Sequence, residues 1–392
     1  MRQGKFNWGA FSILSVAHLI NDMYANFMPQ LLPFLTIERG LSVAKGATLM
    51  AAYTIGSSLL QPFFGYLVDV KDQRWLVYVT GLWTALLLGI TGLISNYYLL
   101  LVVAALAGLG SAAFHPQASA MVGEIGGNRR GFILSGFIAM GNLGLAVTPL
   151  VLLPLFNAFG LGVSWVTIFP GLLASLFLYK YAPRQKGRKG NSPGLSQVMK
   201  ALGKASGELG KLVFVVSLRS LVHTGLMTLL PLYLLAHKFS VANTGYLMFV
   251  TLATGAVGGV IGGYISDRYG RKPLIVGSLV LSSVFFWGFL NTGGVISFGF
   301  LALGGMALLS SFSVTVAVAQ DVIPENRAIA SGLSLGFAIG MGGLAVSPVG
   351  KYADIYGVDA AVHLVFLLPV VAAVIALALK GEENAKPVQS RA

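Results

Sequence analysis

The strongest constraint on this chain is a run of apolar stretches, each long enough to cross a lipid bilayer. They fall at about 8–36, 43–68, 75–95, 97–123, 131–157, 160–181, 210–236, 243–266, 273–292, 295–320, 328–354 and 358–380. A helix needs about 20 mostly apolar residues to cross the hydrocarbon core, so twelve crossings are expected. Backbone groups in lipid must be satisfied within the segment, which leaves helices or closed barrels. Barrel strands would show about ten residues of alternating polarity, and no such alternation occurs. Only 10% of the 392 residues are charged and 56% are hydrophobic, whereas soluble domains carry about 25% charge. The first stretch is interrupted by His18, Asn21 and Asp22, which argues against a cleavable signal peptide.

The net charge of +13 would hint at nucleic acid in a soluble protein. Here its distribution gives a different reason. With the N-terminus inside, 21 of the 26 Lys and Arg residues fall in inside segments. Three (Arg39, Lys45 and Lys238) fall outside, and Arg219 and Lys351 lie within spans. The positive-inside rule then puts both termini in the cytoplasm, with no nucleic-acid partner expected.

The longest polar stretch, 182–209, divides the spans six and six. The expected organisation is a bundle over 1–181, a cytoplasmic linker over 182–209 with a short surface helix from Leu195, a second bundle over 210–380 and a tail over 381–392. The halves repeat at an offset of 198 or 199. Leu31-Leu32-Pro33 matches Leu229-Leu230-Pro231, and Gly65-Tyr66 with Asp69 matches Gly263-Tyr264 with Asp267. The segment Gly141–Pro149 matches Gly340–Pro348 at six of nine positions. The fold class is therefore an all-α membrane protein, twelve transmembrane helices in two pseudo-symmetric six-helix bundles. Parallel six-span repeats are an architecture of transporters that rock two halves about a central site.

The segment Gly263-Tyr264-Ile265-Ser266-Asp267-Arg268-Tyr269-Gly270-Arg271-Lys272 resembles the Gly-x-x-x-Asp-Arg-x-Gly-Arg-Lys signature of the major facilitator superfamily. The first-half copy, Gly65 to Arg74, keeps Gly65 and Asp69 but has Val70 and Asp72 where Arg and Gly are usual. His18–Met23, Ser57–Pro62, Gly108–Pro116, and Gly141-Asn142 with Pro149 resemble the fosmidomycin-resistance family of bacterial exporters. The resemblance implies the major facilitator fold and secondary active transport in a bacterial inner (cytoplasmic) membrane. It also implies a cytoplasmic gate in which Asp69 and Asp267 each latch a neighbouring helix N-terminus, with Arg74, Gly263, Arg268, Arg271 and Lys272 around them. The glycines of the fifth span, Gly136, Gly141 and Gly144, resemble those of superfamily antiporters, although close packing alone also explains them.

Ionisable side chains inside spans are costly and usually mark function. His18, His115 and Arg219 each lie eight to ten residues in from an inside end, roughly 12–15 Å deep at 1.5 Å per residue. Asp22 and His223 lie one turn deeper. His18 and Asp22 share a helix face, as do Arg219 and His223. The resemblance places the spans bearing all five around a central cavity. Asp22 is the best proton carrier, with His18 and His115 assisting because imidazole titrates near neutrality. Arg219 suits a carboxylate, phosphate or phosphonate, with His223, Asn21, Gln61, Asn142 and Ser313 as further substrate-binding candidates. A structural pair between Asp22 and Arg219 is the alternative reading. Lys351 and Asp354 are expected to pair locally, and His237 and His363 have no partner that the sequence names.

No Walker pattern and no His-Glu-x-x-His occurs, and there are no cysteines, so ATP drive, thiol chemistry and a metal cofactor are not expected. One His and one carboxylate on one helix are too few for a metal site. The protein is read as a monomeric, non-enzymatic, proton-coupled exporter of a small organic or amphiphilic compound, anionic and fosmidomycin-like or another drug in multidrug efflux. It would need no cofactor beyond the proton gradient. An uptake or proton-independent carrier of an anionic metabolite is the second reading, and a membrane-embedded enzyme or sensor the third.

Overall fold

A computed structural model describes residues 7–41, 43–71, 75–182, 195–239 and 241–380. Arg74, the side chain of Asp354, residues 183–194 of the expected linker and the tail beyond 380 lie outside the described residues. All twelve expected spans are helical, and the described residues contain no strand. The first span is α1 (Trp8–Ala25) and α2 (Phe27–Arg39), separated at Asn26. The second is α3 (Val43–Thr54), a π-helical turn (Ile55–Leu59) and α4 (Gln61–Lys71). Then follow α5 (Leu76–Gly89), α6 (Tyr97–Gly126), α7 (Arg130–Phe159) and α8 (Ile168–Tyr181). The seventh to ninth spans are α9 (Leu195–Ala236), α10 (Val241–Tyr269) and α11 (Arg271–Asn291). The tenth is α12 (Gly294–Ser310) with α13 (Phe312–Val322). The eleventh is α14 (Arg327–Ser331), a second π-helical turn (Gly332–Phe337), α15 (Ala338–Leu344) and α16 (Val346–Tyr356), and the last is α17 (Val358–Ala376).

Ten of these helical stretches are long and apolar enough to cross a membrane. The first two spans are helical but broken, and the first carries the polar trio His18, Asn21 and Asp22. The 30 residues of α6 and of α7 make each about 45 Å long, more than the roughly 30 Å core requires, so they tilt or protrude. The 42 residues of α9 begin at Leu195, where the sequence led us to expect only a short surface helix, and run unbroken into the seventh span.

The chain forms two compact units. The first comprises 1–125, 137–203 and 323–340; the second comprises 126–136, 204–322 and 341–392. Each unit therefore borrows a segment from the other half of the repeat. In the first, Tyr24, Phe27, Leu31, Leu49, Leu88 and Phe156 form a buried core. In the second, Phe286 of α11 stacks on Phe366 of α17 at 4.4 Å between ring centroids. Ser283 donates across the same contact to the Phe366 carbonyl at 2.8 Å. Small residues set helix spacing where apolar burial gives little drive between helices in lipid. Gly255, Gly258 and Gly262 line the face of α10 against α12, where a Cβ would collide with Leu309, Met306 and Ser310.

Candidate functional site

In the first unit the i, i+4 spacing of α1 puts His18 and Asp22 on one face, and α6 brings His115 to them. The His18 Nε2 lies 3.3 Å from Asp22 Oδ2, and the His115 Nε2 lies 3.5 Å from Asp22 Oδ1. His18 is 4% and Asp22 9% exposed. The tautomer of His18 follows from its other nitrogen, which lies 2.7 Å from the Phe137 carbonyl oxygen of α7. A carbonyl can only accept, so Nδ1–H donates. In a neutral ring Nε2 is then a bare lone pair facing a carboxylate. That contact is favourable only with a proton or another cation between the two.

Asn21 completes the cluster. Its Nδ2 donates to Asp22 Oδ1 at 3.1 Å and to Ser111 Oγ at 3.3 Å, and lies 3.3 Å from His115 Nε2. The two amide hydrogens are thus used by Asp22 Oδ1 and Ser111 Oγ, while the buried Asn21 Oδ1 has no hydrogen-bond partner. The Phe137 ring stacks on His18 at 4.0 Å. Gly141 of α7 closes the cluster from behind: a Cβ there would come within 2.6 Å of His18 Nε2 and would strike Asp22 Oδ2. One turn on, a Cβ at Gly144 would strike the Leu19 carbonyl. These two glycines let α7 lie directly against α1, a packing role that the sequence left as one of two readings. Pro116, next to His115, withdraws an N–H from the α6 ladder at this level.

In the second unit Arg219 of α9 is 2% exposed. Its guanidinium lies over the Phe312 ring at 4.4 Å, and its Nε has no hydrogen-bond partner. His223 follows one turn later, half-buried. Ser313 is buried and its hydroxyl has no partner, while Ser310 and Ser311 bond carbonyls of their own helix. The five ionisable candidates are therefore divided between the units: His18, Asp22 and His115 in one, Arg219 and His223 in the other. Within its own unit Asp22 is already engaged by Asn21 and two histidines.

Gln61 donates to the Ser57 carbonyl at 2.9 Å and packs where a Cβ at Gly332 or Gly336 would stand. Asn142 is half-buried beside Gly141.

The paired aspartates each cap a helix from the opposite half of the repeat. Asp267 accepts from the Gly131 and Phe132 N–H groups at 3.1 and 2.9 Å, at the start of α7. Asp69 accepts from the Ile329 N–H at 2.8 Å, at the start of α14. The accompanying glycines allow these approaches: a Cβ at Gly263 would lie 2.7 Å from the Gly131 carbonyl oxygen, and one at Gly65 2.6 Å from that of Ala328. Asp321 bridges Arg130 and Arg271, and Arg268 lies over Tyr264 at 4.5 Å. Lys272 is half-buried nearby in sequence. Asp321 and Arg130 were not singled out from sequence. The available signal was an acidic residue closing a span on the basic side of a chain with only 13 acidic residues.

His237 and His363, which had no named partner, both meet Asp359. The His237 Nε2 lies 3.4 Å from its carboxylate, and the His363 Nδ1 donates to its backbone carbonyl at 2.8 Å.

A helical chain with polar clusters buried inside its spans is built as a multi-pass membrane carrier. A family model described as Major Facilitator Superfamily matches residues 14–333 and 212–392. The chain belongs to the Major Facilitator Superfamily, and is thus a multi-pass transporter rather than an enzyme. It is 30% identical over 381 residues to an uncharacterized MFS-type transporter, YfnC, of Bacillus subtilis (strain 168), covering 91% of this chain and 90% of that one. It is 28% identical over 378 residues to the fosmidomycin resistance protein of Escherichia coli (strain K12), covering 94% and 92%. Among solved structures, the transporter FucP in the outward conformation matches with a TM-score of 0.77 at 15% identity, covering 94% of this chain and 98% of that one. At that identity the likeness concerns the fold alone.

Proposed function

We propose that the protein is a proton-coupled exporter of small organic anions, working by alternating access in a bacterial cytoplasmic membrane with both termini inside. The observation that carries the coupling is the buried His18–Asp22–His115 cluster, where a bare imidazole nitrogen faces a carboxylate at 3.3 Å. A proton is the simplest cation to occupy that contact, and a carboxyl flanked by imidazoles can take one up and release it. Arg219 and the groups around it supply the anionic end of the cargo with a planar donor. The relative named for fosmidomycin resistance supports efflux as the direction and a phosphonate as a first cargo to try. The Asp69 and Asp267 caps act as latches at the cytoplasmic end, each joining the two halves of the repeat through bonds that can break. The chain works as a monomer driven by the proton gradient.

Reconstitution into proteoliposomes with an imposed pH gradient tests this. Fosmidomycin or a related phosphonate should accumulate on the acidic side, with proton counterflow, and Asp22→Asn should abolish the gradient dependence. Movement that ignores the gradient would make the protein a facilitator. Proton and cargo moving in the same direction would make it an importer.

A further inference from the structure

We propose that His18, Asp22 and His115 bind a divalent transition-metal ion of the zinc type. The sequence offered only one histidine and one carboxylate on α1. The fold adds the second histidine from α6, and the ligand atoms of the three residues all lie within 4.8 Å of one another. Two imidazoles and a carboxylate are a donor set that suits zinc, cobalt or nickel, whereas magnesium and calcium prefer oxygen alone.

Spacing supports this assignment. Bonds of about 2.0–2.1 Å to a tetrahedral ion place ligand atoms about 3.3–3.5 Å apart. The His18 Nε2 lies 3.3 Å from Asp22 Oδ2 and the His115 Nε2 3.5 Å from Asp22 Oδ1, so each imidazole meets that spacing on its own carboxylate oxygen and the three ligand atoms stay within 4.8 Å. The outer shell is also in place. The Phe137 carbonyl accepts from His18 Nδ1, which turns the free Nε2 toward the cluster, the arrangement that orients metal-bound histidines in general.

Asn21 supports the carboxylate from beside it: it is 2% exposed, and its Nδ2 donates to Asp22 Oδ1 at 3.1 Å and to Ser111 Oγ at 3.3 Å, which fixes the ligand's orientation. Gly141 keeps the space open, because any side chain there would fill it. A bound ion would tie α1 to α6 inside the first unit. The ion would occupy the contact assigned above to the coupling proton, so the two exclude one another, and binding is measured without a gradient.

The experiment uses the purified full-length protein in detergent. Titration with Co2+ should give one ion per chain, with the visible absorption bands of a tetrahedral site. Zn2+ should displace it, and Mg2+ should not. Asp22→Asn and His115→Ala should each weaken Co2+ binding at least about tenfold. Gly141→Ala should do the same without removing a ligand. His237→Ala, at the exposed histidine pair, should leave binding unchanged. Absence of the bands in the wild-type protein would overturn the proposal, and that measurement stands even if a variant fails to fold. Retention of full affinity by folded, monodisperse His115→Ala, or its loss in His237→Ala, would overturn it equally.

Discussion

At the scale of single residues, two buried groups carry the chemistry and are held in opposite ways. Asp22 is surrounded by donors and imidazoles within its own unit. Arg219 has an aromatic face and a vacant donor, its Nε, on a side chain that is 2% exposed. A charge removed from water without full compensation costs stability, and a neutral isostere often recovers it. Arg219→Met is therefore expected to raise the melting temperature by several degrees while abolishing efflux of anionic cargo. Thermal unfolding in detergent and phosphonate transport on the same preparation check this. A drop in melting temperature would mean that Arg219 is a structural tie and not a held-open anion site. Arg219→Lys should keep part of the activity, since it keeps the charge but loses the planar fork and the stacking on Phe312.

The relevant elements are the helix starts. In each unit an aspartate from one half of the repeat caps a helix belonging to the other, and a glycine four residues before it lets the helices meet. A carboxylate near a helix N-terminus is worth about 0.3–1 kcal/mol, rising to about 2 when partly buried. That is strong enough to bias a conformation and weak enough to break in each cycle. Asp267→Asn keeps the shape but loses the charge, so turnover should fall about threefold to tenfold, the change that about 0.7–1.4 kcal/mol produces in a rate. Equilibrium binding of cargo should stay within about twofold. Steady-state efflux and a separate binding isotherm check the two halves of that expectation. Unchanged turnover would reduce the cap to a plain helix end. Asp69→Asn, at the equivalent cap on the start of α14, should slow turnover in the same range.

At the scale of the whole molecule, charge asymmetry sets the orientation. The chain has no cysteine, so single cysteines can report sidedness without background. Lys380→Cys should react with an impermeant thiol reagent only from the cytoplasmic side and Lys238→Cys only from outside; both side chains are exposed. Labelling of both from one side would overturn the topology on which the direction of transport rests.

The sequence by itself determined the helices, their number and the pseudo-repeat, because a span must be apolar along its whole length and that requirement is local. It also pointed to His18 and Asp22 as a pair, since four residues along one helix make one face. Tertiary structure decided what lies across that face. The meeting of His115 with Asp22, the Phe137 carbonyl that fixes the His18 tautomer and the Gly141 gap behind them join residues more than 90 positions apart in the chain. The same holds for the caps: Asp69 and Asp267 were visible as a repeated motif, but their partners Ile329, Gly131 and Phe132 were not. A backbone N–H at a helix start carries no side-chain signature. Which aspartate it meets depends on how closely the two helices approach.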